Sequence, residues 1–265
     1  MGACGVSPPF AGVSLAAVAI IPARYESSRF PGKPLAKETG KCLIQHVFDN
    51  VKRAKKLGRV IVATDDERIR RAVAEFGGEA VMTRPDHVCG TDRIAEVANG
   101  LDEDIVVNVQ GDEPEIDPAH IDLLVGLLER DGDCEMATLA CPFETVEDAV
   151  SPSTTKVVLD AFGRALYFSK AVIPFARDDG GEVKDPGQYL LHLGIYAYRR
   201  IFLLRYSSMP PTRLELTEKL EQLRALENGC RIAVGIVDRG SIGVDTPEEY
   251  ATFVARHRAQ ASARS

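Results

Sequence analysis

The chain lacks the residue patterns on which several common kinds of functional site depend. Its six cysteines form no C-x-x-C pair and have no histidine at ligand spacing, which excludes an obvious zinc site or disulfide framework. The glycine patterns of the Walker A loop and of the dinucleotide-binding fingerprint are also missing. We therefore expect buried or incidental thiols in a reducing compartment, the cytoplasm.

Long hydrophobic runs and an excess of positive charge are absent too. The longest apolar run, about residues 13–21, is too short to span a bilayer. A net charge of -7 argues against a nucleic-acid surface, which needs clustered lysine and arginine. Residues 1–17 lack the positive start of a signal peptide and are expected to form a disordered extension. We predict a soluble protein with neither a membrane nor a nucleic-acid partner.

The hydrophobic pattern is typical of an α/β protein with a mainly parallel central sheet flanked by helices. Short β-branched runs alternate with amphipathic helices up to residue 142, and the later part contains a hairpin that turns at 161–163. We expect one domain over 18–260, elaborated by a lobe at about 143–215. The predicted strands are 18–22, 60–63, 80–83, 105–109, 136–141, the run LLHLGIYAYR and 232–237; the predicted helices are one centred on 44–54, then 66–76, 91–99, 118–130, 217–227 and 246–257.

The segment after the first predicted strand, PARYESSRFPGKP, carries three cations on a turn. Glycine and proline force the chain to bend, and ligands of parallel sheets bind beyond the carboxyl ends of the strands. Arg24, Arg29 and Lys33 would then converge on one anion, and a triphosphate suits such a cluster because its leaving group gains charge during transfer. The alternative is a surface turn that happens to be basic.

Two acidic segments could supply metal ligands. In NVQGDEP a buried strand delivers Asp112 and Glu113, and in GVDTPEE Asp245 precedes the closing helix. Mg²⁺ usually takes only one or two protein carboxylates together with phosphate oxygens. The alternative for both segments is helix capping. In the first segment Asp117 fits the capping role better than Asp112 does. In the second, helix capping by Asp245 or Thr246 is as good an interpretation as metal binding.

Together the motifs PARYESSRFPGKP, NVQGDEP, HLGIY, LEQLR and GVDTPEE resemble the 3-deoxy-manno-octulosonate cytidylyltransferase family, in the right order over residues 18–257. The resemblance implies a GT-A-like (Rossmann-like) nucleotidyltransferase fold and a homodimer held partly by the second lobe. It also implies an enzyme that transfers CMP from CTP to the anomeric hydroxyl of the acidic eight-carbon sugar 3-deoxy-manno-octulosonate (Kdo), for lipopolysaccharide biosynthesis. Pyrophosphate would leave, and Mg²⁺ would be the cofactor.

The resemblance also implies roles for residues that match the family's motifs. The implied catalytic residues are Arg24, Lys33, Asp112 and Asp245, of which the two aspartates would bind Mg²⁺. The implied CTP-binding residues are Ala23, Arg24, Ser27, Arg29, Lys33 and Arg93. The implied sugar-binding residues are Gln110, Lys170, Arg177, His192, Tyr196, Glu221 and Gln222.

Two departures from the family's pattern concern the choice of sugar. Lys170 stands where the family usually has arginine, and lysine cannot make arginine's bidentate carboxylate contact. Cys89 stands where a serine is expected. A cytidylyltransferase for a related sugar, 8-amino-Kdo or sialic acid, is therefore an alternative, although the sialic-acid family resembles PARGGSKGIPRKN in its first loop. A non-catalytic nucleotide-binding protein is a further alternative, one that has no need for both metal carboxylates.

Overall fold

The first strand, β1 (Ala17–Ala23), is built from apolar residues that are nearly all buried. Its alternate side chains enter two different cores: Ala19 and Ile21 face one, and Val18 and Ile20 face the other. A strand covered on both faces reads as a continuous apolar run, as this one does. The structure, a computed structural model, describes residues 15–26, 29–87 and 89–262, so most of the predicted N-terminal extension lies outside it.

Nine strands form one mixed sheet in the described part of the chain. The strands after β1 are β2 (Arg59–Thr64), β3 (Glu79–Met82), β4 (Ile105–Asn108), β5 (Met136–Pro142), β6 (Lys156–Leu159), β7 (Ala165–Ser169), β8 (Leu190–Arg199) and β9 (Ile232–Ile236). The main path of the sheet runs β3-β2-β1-β4-β8-β5-β9, and β8 is antiparallel to both of its neighbours on that path while the other strands of the path run parallel to one another.

Helices cover both faces of the sheet. The helices are α1 (Leu43–Val51), α2 (Glu67–Glu75), α3 (Gly90–Ala98), α4 (Pro118–Arg130), α5 (Val146–Val150), α6 (Arg200–Tyr206), α7 (Arg213–Glu218), α8 (Gln222–Glu227) and α9 (Pro247–Ser262). Apolar residues of α1, α2 and α4 lie in one core, and those of α3, α6 and α8 lie in the other. The predicted α/β class and the flanking helices are confirmed.

Two features of the second half differ from the sequence prediction. The predicted helix 217–227 is wrong as one element, because Lys219 adopts a left-handed conformation with φ 57° and separates α7 from α8. The short helices α5 and α6 were not predicted. The predicted strand LLHLGIYAYR is confirmed as β8, and it lies in the middle of the sheet, between β4 and β5.

The sheet order determines where polar strand ends meet. β1 is flanked by β2 and β4, with Ala23 opposite Thr64 and Ile20 opposite Asn108, so these three parallel strands end at the same edge. The segments PARYESSR, TDD and QGDEP therefore leave the sheet side by side, as the sequence predicts. No helix in the described ranges has the length and apolar character needed to cross a membrane.

Candidate active site

Lys33 lies between two carboxylates at the carboxyl edge of β1 and β4. Its Nζ donates to Asp112 Oδ2 at 2.9 Å and to Asp245 Oδ1 at 3.1 Å. The other oxygen of Asp245 accepts a hydrogen bond from Arg29 Nη2 at 2.9 Å. The structure therefore brings together two of the three predicted loop cations and both predicted metal ligands, although up to 216 positions separate them in the chain.

Local backbone geometry delivers Lys33 to this position. The chain after β1 turns back, so that the Gly32 amide donates to the Tyr25 carbonyl at 2.9 Å. Gly32 has φ 73°, a conformation that glycine adopts without strain, and Lys33 then begins a single 3-10 turn with Pro34. The side chain of Lys33 is 11% exposed, whereas that of Arg29 is 64% exposed. Lys33 is thus the inner cation of the loop and Arg29 the outer one.

Two hydrogen bonds join the loops that carry Asp112 and Asp245. The Val244 amide donates to the Asp112 carbonyl at 2.8 Å, and Ser241 Oγ donates to Glu113 Oε2 at 2.5 Å. These bonds fix the spacing of the two aspartates across a gap of more than 100 residues. The contact between Ser241 and Glu113 could not be predicted from the sequence, because side-chain pairing between distant loops leaves no local signal.

The surroundings of Glu113 and Asp245 shift the pKa values of these two acidic residues in opposite directions. Burial raises the pKa of Glu113 to about 7, even though the bond from Ser241 favours its charged form. Burial also disfavours the charged form of Asp245, but hydrogen bonds and charge from Lys33 and Arg29 outweigh it and lower the pKa of Asp245. Asp245 is therefore an anionic carboxylate at neutral pH, as a metal ligand must be.

The donor set fits Mg²⁺. Both aspartates point one oxygen at a single cation, the Lys33 ammonium, which shows that their carboxylates converge on a cationic position. In the described part of the chain no group of three or more His, Cys, Asp or Glu could hold a metal ion. A pair of carboxylates completed by phosphate oxygens is, however, what Mg²⁺ ordinarily uses.

The other described residues predicted to bind CTP have contact partners different from those of Lys33 and Arg29. Ala23 is the buried last residue of β1, and Arg24 donates to the His87 carbonyl. Arg93 is fully buried, and its guanidinium donates to Thr83 Oγ1 and to Asp65 Oδ2, the latter at 3.0 Å. These contacts tie Arg93 to the ends of β2 and β3 rather than to the cluster around Lys33. Ser27 lies outside the described residues.

A bulge in the pairing of β5 with β8 lies among the residues that are predicted to form the sugar pocket. The register shifts between Thr138 and Leu139, and Thr138 Oγ1 contacts His192 Nε2 at 2.9 Å. Next to it, Gln110 Nε2 donates to the Gly194 carbonyl at 3.3 Å, which brings the strand end that carries Asp112 against β8. Burial, and then the charge of Lys170, lower the pKa of His192 to about 3, so this imidazole is neutral at pH 7.

The remaining predicted sugar-binding residues are only partly gathered around this pocket. The Tyr196 ring lies 5.5 Å from the His192 ring, and Glu221 accepts a hydrogen bond from Thr91 Oγ1 at 3.2 Å. Lys170 Nζ donates to the Ser153 carbonyl at 2.6 Å. In the described ranges no side-chain hydrogen bond or ion pair joins Arg177, exposed on a 3-10 turn, or the buried Gln222 to the others.

Comparisons with known proteins show the family to which this chain is similar. The family described as Cytidylyltransferase matches residues 18–232. A 3-deoxy-manno-octulosonate cytidylyltransferase of Syntrophobacter fumaroxidans is 55% identical over 89% of this chain and 95% of its own length. Its counterpart in Geobacter sulfurreducens is 52% identical over 87% of this chain and 95% of its own length.

Solved structures give the same result. The structure of a CMP:2-keto-3-deoxy-manno-octonic acid synthetase complexed with CTP is similar with a TM-score of 0.87 and 43% identity, and the match covers 92% of this chain and 99% of the other. A 4-diphosphocytidyl-2C-methyl-D-erythritol synthase from Anaerococcus prevotii, 12% identical with a TM-score of 0.62 over 93% of this chain and 100% of its own, shares the fold alone.

The fold and the charged site at its sheet edge define a nucleotidyltransferase, within the class of cytidylyltransferases. Among these, the chain belongs to the 3-deoxy-manno-octulosonate cytidylyltransferase family. The resemblance noted from the sequence is thereby confirmed. The alternatives of a sialic-acid enzyme and of a non-catalytic nucleotide-binding protein are not favoured, because the similar proteins carry the Kdo name.

Proposed function

We propose that this protein transfers CMP from CTP to the anomeric hydroxyl of Kdo and releases pyrophosphate. The observation that carries the proposal is the convergence of Arg29, Lys33, Asp112 and Asp245 at one sheet edge, in a chain whose relatives carry the name of this activity. In the reaction the sugar hydroxyl oxygen forms a bond to the α-phosphorus, and the bond from that phosphorus to the α,β-bridging oxygen breaks, so that pyrophosphate leaves with the electron pair. The hydroxyl proton passes to water.

The loop after β1 is the binding surface for the triphosphate. Lys33 and Arg29 would exchange their carboxylate partners for phosphate oxygens and stabilise the charge that develops on the leaving pyrophosphate. Arg24 is the first residue after β1, at the start of the same loop, and its side chain donates to the His87 carbonyl. Arg93 would act indirectly, because its guanidinium is committed to Asp65 and Thr83 and holds the strand ends beside the nucleotide.

We propose that Asp112 and Asp245 hold Mg²⁺. When bound there, the ion would neutralise phosphate charge and acidify the sugar hydroxyl. The protein's contribution is to keep two anionic carboxylates at a fixed spacing, through the bonds from Val244 to Asp112 and from Ser241 to Glu113. These two hydrogen bonds would thereby orient the two aspartates as metal ligands.

The sugar would lie against β8, where hydrogen-bonding groups surround a neutral imidazole. His192 cannot serve as a cation at pH 7, because its pKa is about 3. The carboxylate of Kdo must therefore pair with a different cation. Lys170 lies close enough to His192 for its charge to lower the pKa of that imidazole, so it is positioned to be this cation. Gln110 and Tyr196 would meet the sugar hydroxyls. We further propose a cytoplasmic homodimer, since CTP is a cytoplasmic substrate and the lobe exposes apolar side chains.

The proposal is tested by supplying CTP, Kdo and Mg²⁺ and following pyrophosphate release. We expect one pyrophosphate per CMP-Kdo formed, and no reaction with sialic acid. Asp112→Asn should lower kcat by at least about 10²–10³, because a transition-state contact is lost, while the circular dichroism spectrum stays unchanged. The matched control is Asp49→Asn, an aspartate of a surface ion pair with Lys41.

Two results would count against this assignment in different ways. If the wild-type protein released no pyrophosphate with Kdo, the proposed reaction would be wrong. If Asp112→Asn kept a near-wild-type kcat, the reaction would stand but Asp112 would not be a metal ligand.

A further inference from the structure

The position on which Asp112 and Asp245 converge is held by a cation that belongs to the protein itself. Lys33 Nζ lies 2.9 Å from one aspartate and 3.1 Å from the other, on a side chain that is only 11% exposed. An ammonium group has three donors and no acceptor, so two of its three hydrogens are engaged by these carboxylates. Arg29 completes the arrangement on the outer oxygen of Asp245.

The four side chains cancel one another's charge: two cations face two carboxylates. Mg²⁺ held between Asp112 and Asp245 would lie close to the Lys33 ammonium, which already contacts one oxygen of each, and like charges repel at that distance. The Lys33 ammonium and the metal are therefore alternative occupants of one position.

The attachment of Lys33 allows it to leave this position without any change in the fold. Its backbone is fixed by the left-handed Gly32 and by Pro34, whereas its ammonium stands at the end of a flexible four-carbon stem. A triphosphate bound on the same loop would offer the ammonium oxygens of higher negative charge. Movement of Lys33 and Arg29 onto the phosphates would uncover both carboxylates together.

We propose that Lys33 is an internal counter-ion that blocks the metal position until a nucleoside triphosphate draws it away. The inference rests on the proposed function, because it takes Asp112 and Asp245 as the Mg²⁺ ligands. Its consequence is that the metal binds weakly to the protein alone and strongly once CTP is bound. By thermodynamic reciprocity, the metal strengthens CTP binding by the same factor.

The test measures metal binding with neither CTP nor sugar present, using Mn²⁺ as the probe and the electron paramagnetic resonance signal of the free ion as the readout. We expect Lys33→Met to bind Mn²⁺ at least roughly tenfold more tightly than the full-length wild-type protein, within the range typical of coupling between ligands. Arg29→Met should show a smaller gain, because Arg29 contacts only the outer oxygen of Asp245.

Three controls make the result specific. Lys37→Met removes an exposed lysine four positions along and should leave Mn²⁺ affinity at the wild-type value. Adding Asp112→Asn to Lys33→Met should abolish the gain. Added CTP should strengthen Mn²⁺ binding in the wild type beyond the Mn²⁺ that the same CTP binds without protein, because the triphosphate both draws Lys33 away and supplies metal ligands. Circular dichroism verifies folding, and Lys33→Gln replaces Lys33→Met if the apolar side chain prevents folding.

A second readout is thermal. Because a ligand that binds only the folded state raises Tm, Mn²⁺ without CTP should raise the Tm of Lys33→Met more than that of the wild type. Equal Mn²⁺ affinities in the folded wild type and in the Lys33 variants would overturn the inference. That outcome leaves the proposed reaction standing, since pyrophosphate release is measured separately; a gain in metal affinity without pyrophosphate release would instead reject the reaction.

Discussion

At the scale of single residues, side chains of the same type have different roles in the structure because burial decides their chemistry. Arg93 and Arg29 are both arginines close to strand ends, yet Arg93 is fully buried with Asp65 while the side chain of Arg29 is 64% exposed. The first is bound into the protein framework and the second is free to change partners. Nothing in the local sequence distinguishes them, because burial is produced by elements remote in the chain.

His46 shows the same effect away from the active site. It is a buried imidazole at the start of α1, with Nε2 2.6 Å from Thr39 Oγ1 and its ring 4.9 Å from the ring of His257. Burial, followed by the charges of His257 and Lys41, lowers its pKa to about 4, against a smaller opposing effect of Asp49. The folded protein therefore resists protonation that the unfolded chain accepts.

This difference predicts a pH dependence of stability. Between about pH 6.5 and pH 4 the unfolded chain binds more protons than the folded protein, so His46 makes the free energy of unfolding fall as the pH is lowered through that range. We expect His46→Gln, which keeps a hydrogen-bonding group near Thr39, to reduce the fall by roughly 2–3 kcal/mol, at about 1.4 kcal/mol per pKa unit. Urea unfolding at pH 7, 5.5 and 4.5 measures it, and parallel curves for variant and wild type would contradict it.

At the scale of elements, the triphosphate loop depends on a neighbouring helix. The Tyr25 ring covers Gly32, where a Cβ atom would lie 3.0 Å from the tyrosine hydroxyl. The Arg68 guanidinium lies 3.3 Å from the centroid of the same ring, and Arg68 is held by Asp66, the N-cap of α2, at 2.6 Å. The start of α2 thus supports the bend that presents Lys33.

The contact of the Arg68 guanidinium with the Tyr25 ring predicts an effect on CTP binding that is separate from catalysis. Tyr25→Ala should raise the KM for CTP about tenfold, as expected from loss of a cation–π contact and of the ring packing, with a smaller change in kcat. The KM for Kdo should stay constant. Tyr25→Phe keeps the ring and should behave like the wild type; an equal defect in both variants, or an unchanged KM for CTP in Tyr25→Ala, would contradict the role of the ring.

Elements also show what the sequence could and could not predict. The strand ends that carry Arg29, Lys33 and Asp112 could be placed together, because apolar periodicity identifies parallel strands and parallel strands end at one edge. The insertion of β8 between β4 and β5 could not, since pairing between remote strands is decided by the packing of the whole sheet. The break at Lys219 was missed for a related reason: a non-glycine residue in a left-handed conformation has no sequence signature.

At the scale of the whole molecule, exposed apolar side chains are unevenly distributed. Of the ten large hydrophobic residues that the described chain exposes, five lie between positions 146 and 175, in the predicted lobe. Phe162 at the tip of the β6–β7 hairpin is 83% exposed and Phe175 is 69% exposed. Exposed apolar patches mark interaction sites, and the concentration of these residues in and around the β6–β7 hairpin supports the proposal that this part of the lobe joins two copies of the chain.

The homodimer proposal therefore makes a prediction about assembly. Leu166 lies on β7 of the hairpin and is 62% exposed, so Leu166→Glu should place a charge in the interface and convert the dimer to a monomer in size-exclusion chromatography with light scattering. Ile201 on α6, outside the β6–β7 hairpin, is 69% exposed, and Ile201→Glu should leave the dimer intact. A monomeric wild-type protein, or loss of the dimer in both variants, would argue against an interface on the hairpin.

Because the hairpin pairs with β8, which carries His192 and Tyr196, loss of the dimer should also raise the KM for Kdo more than that for CTP.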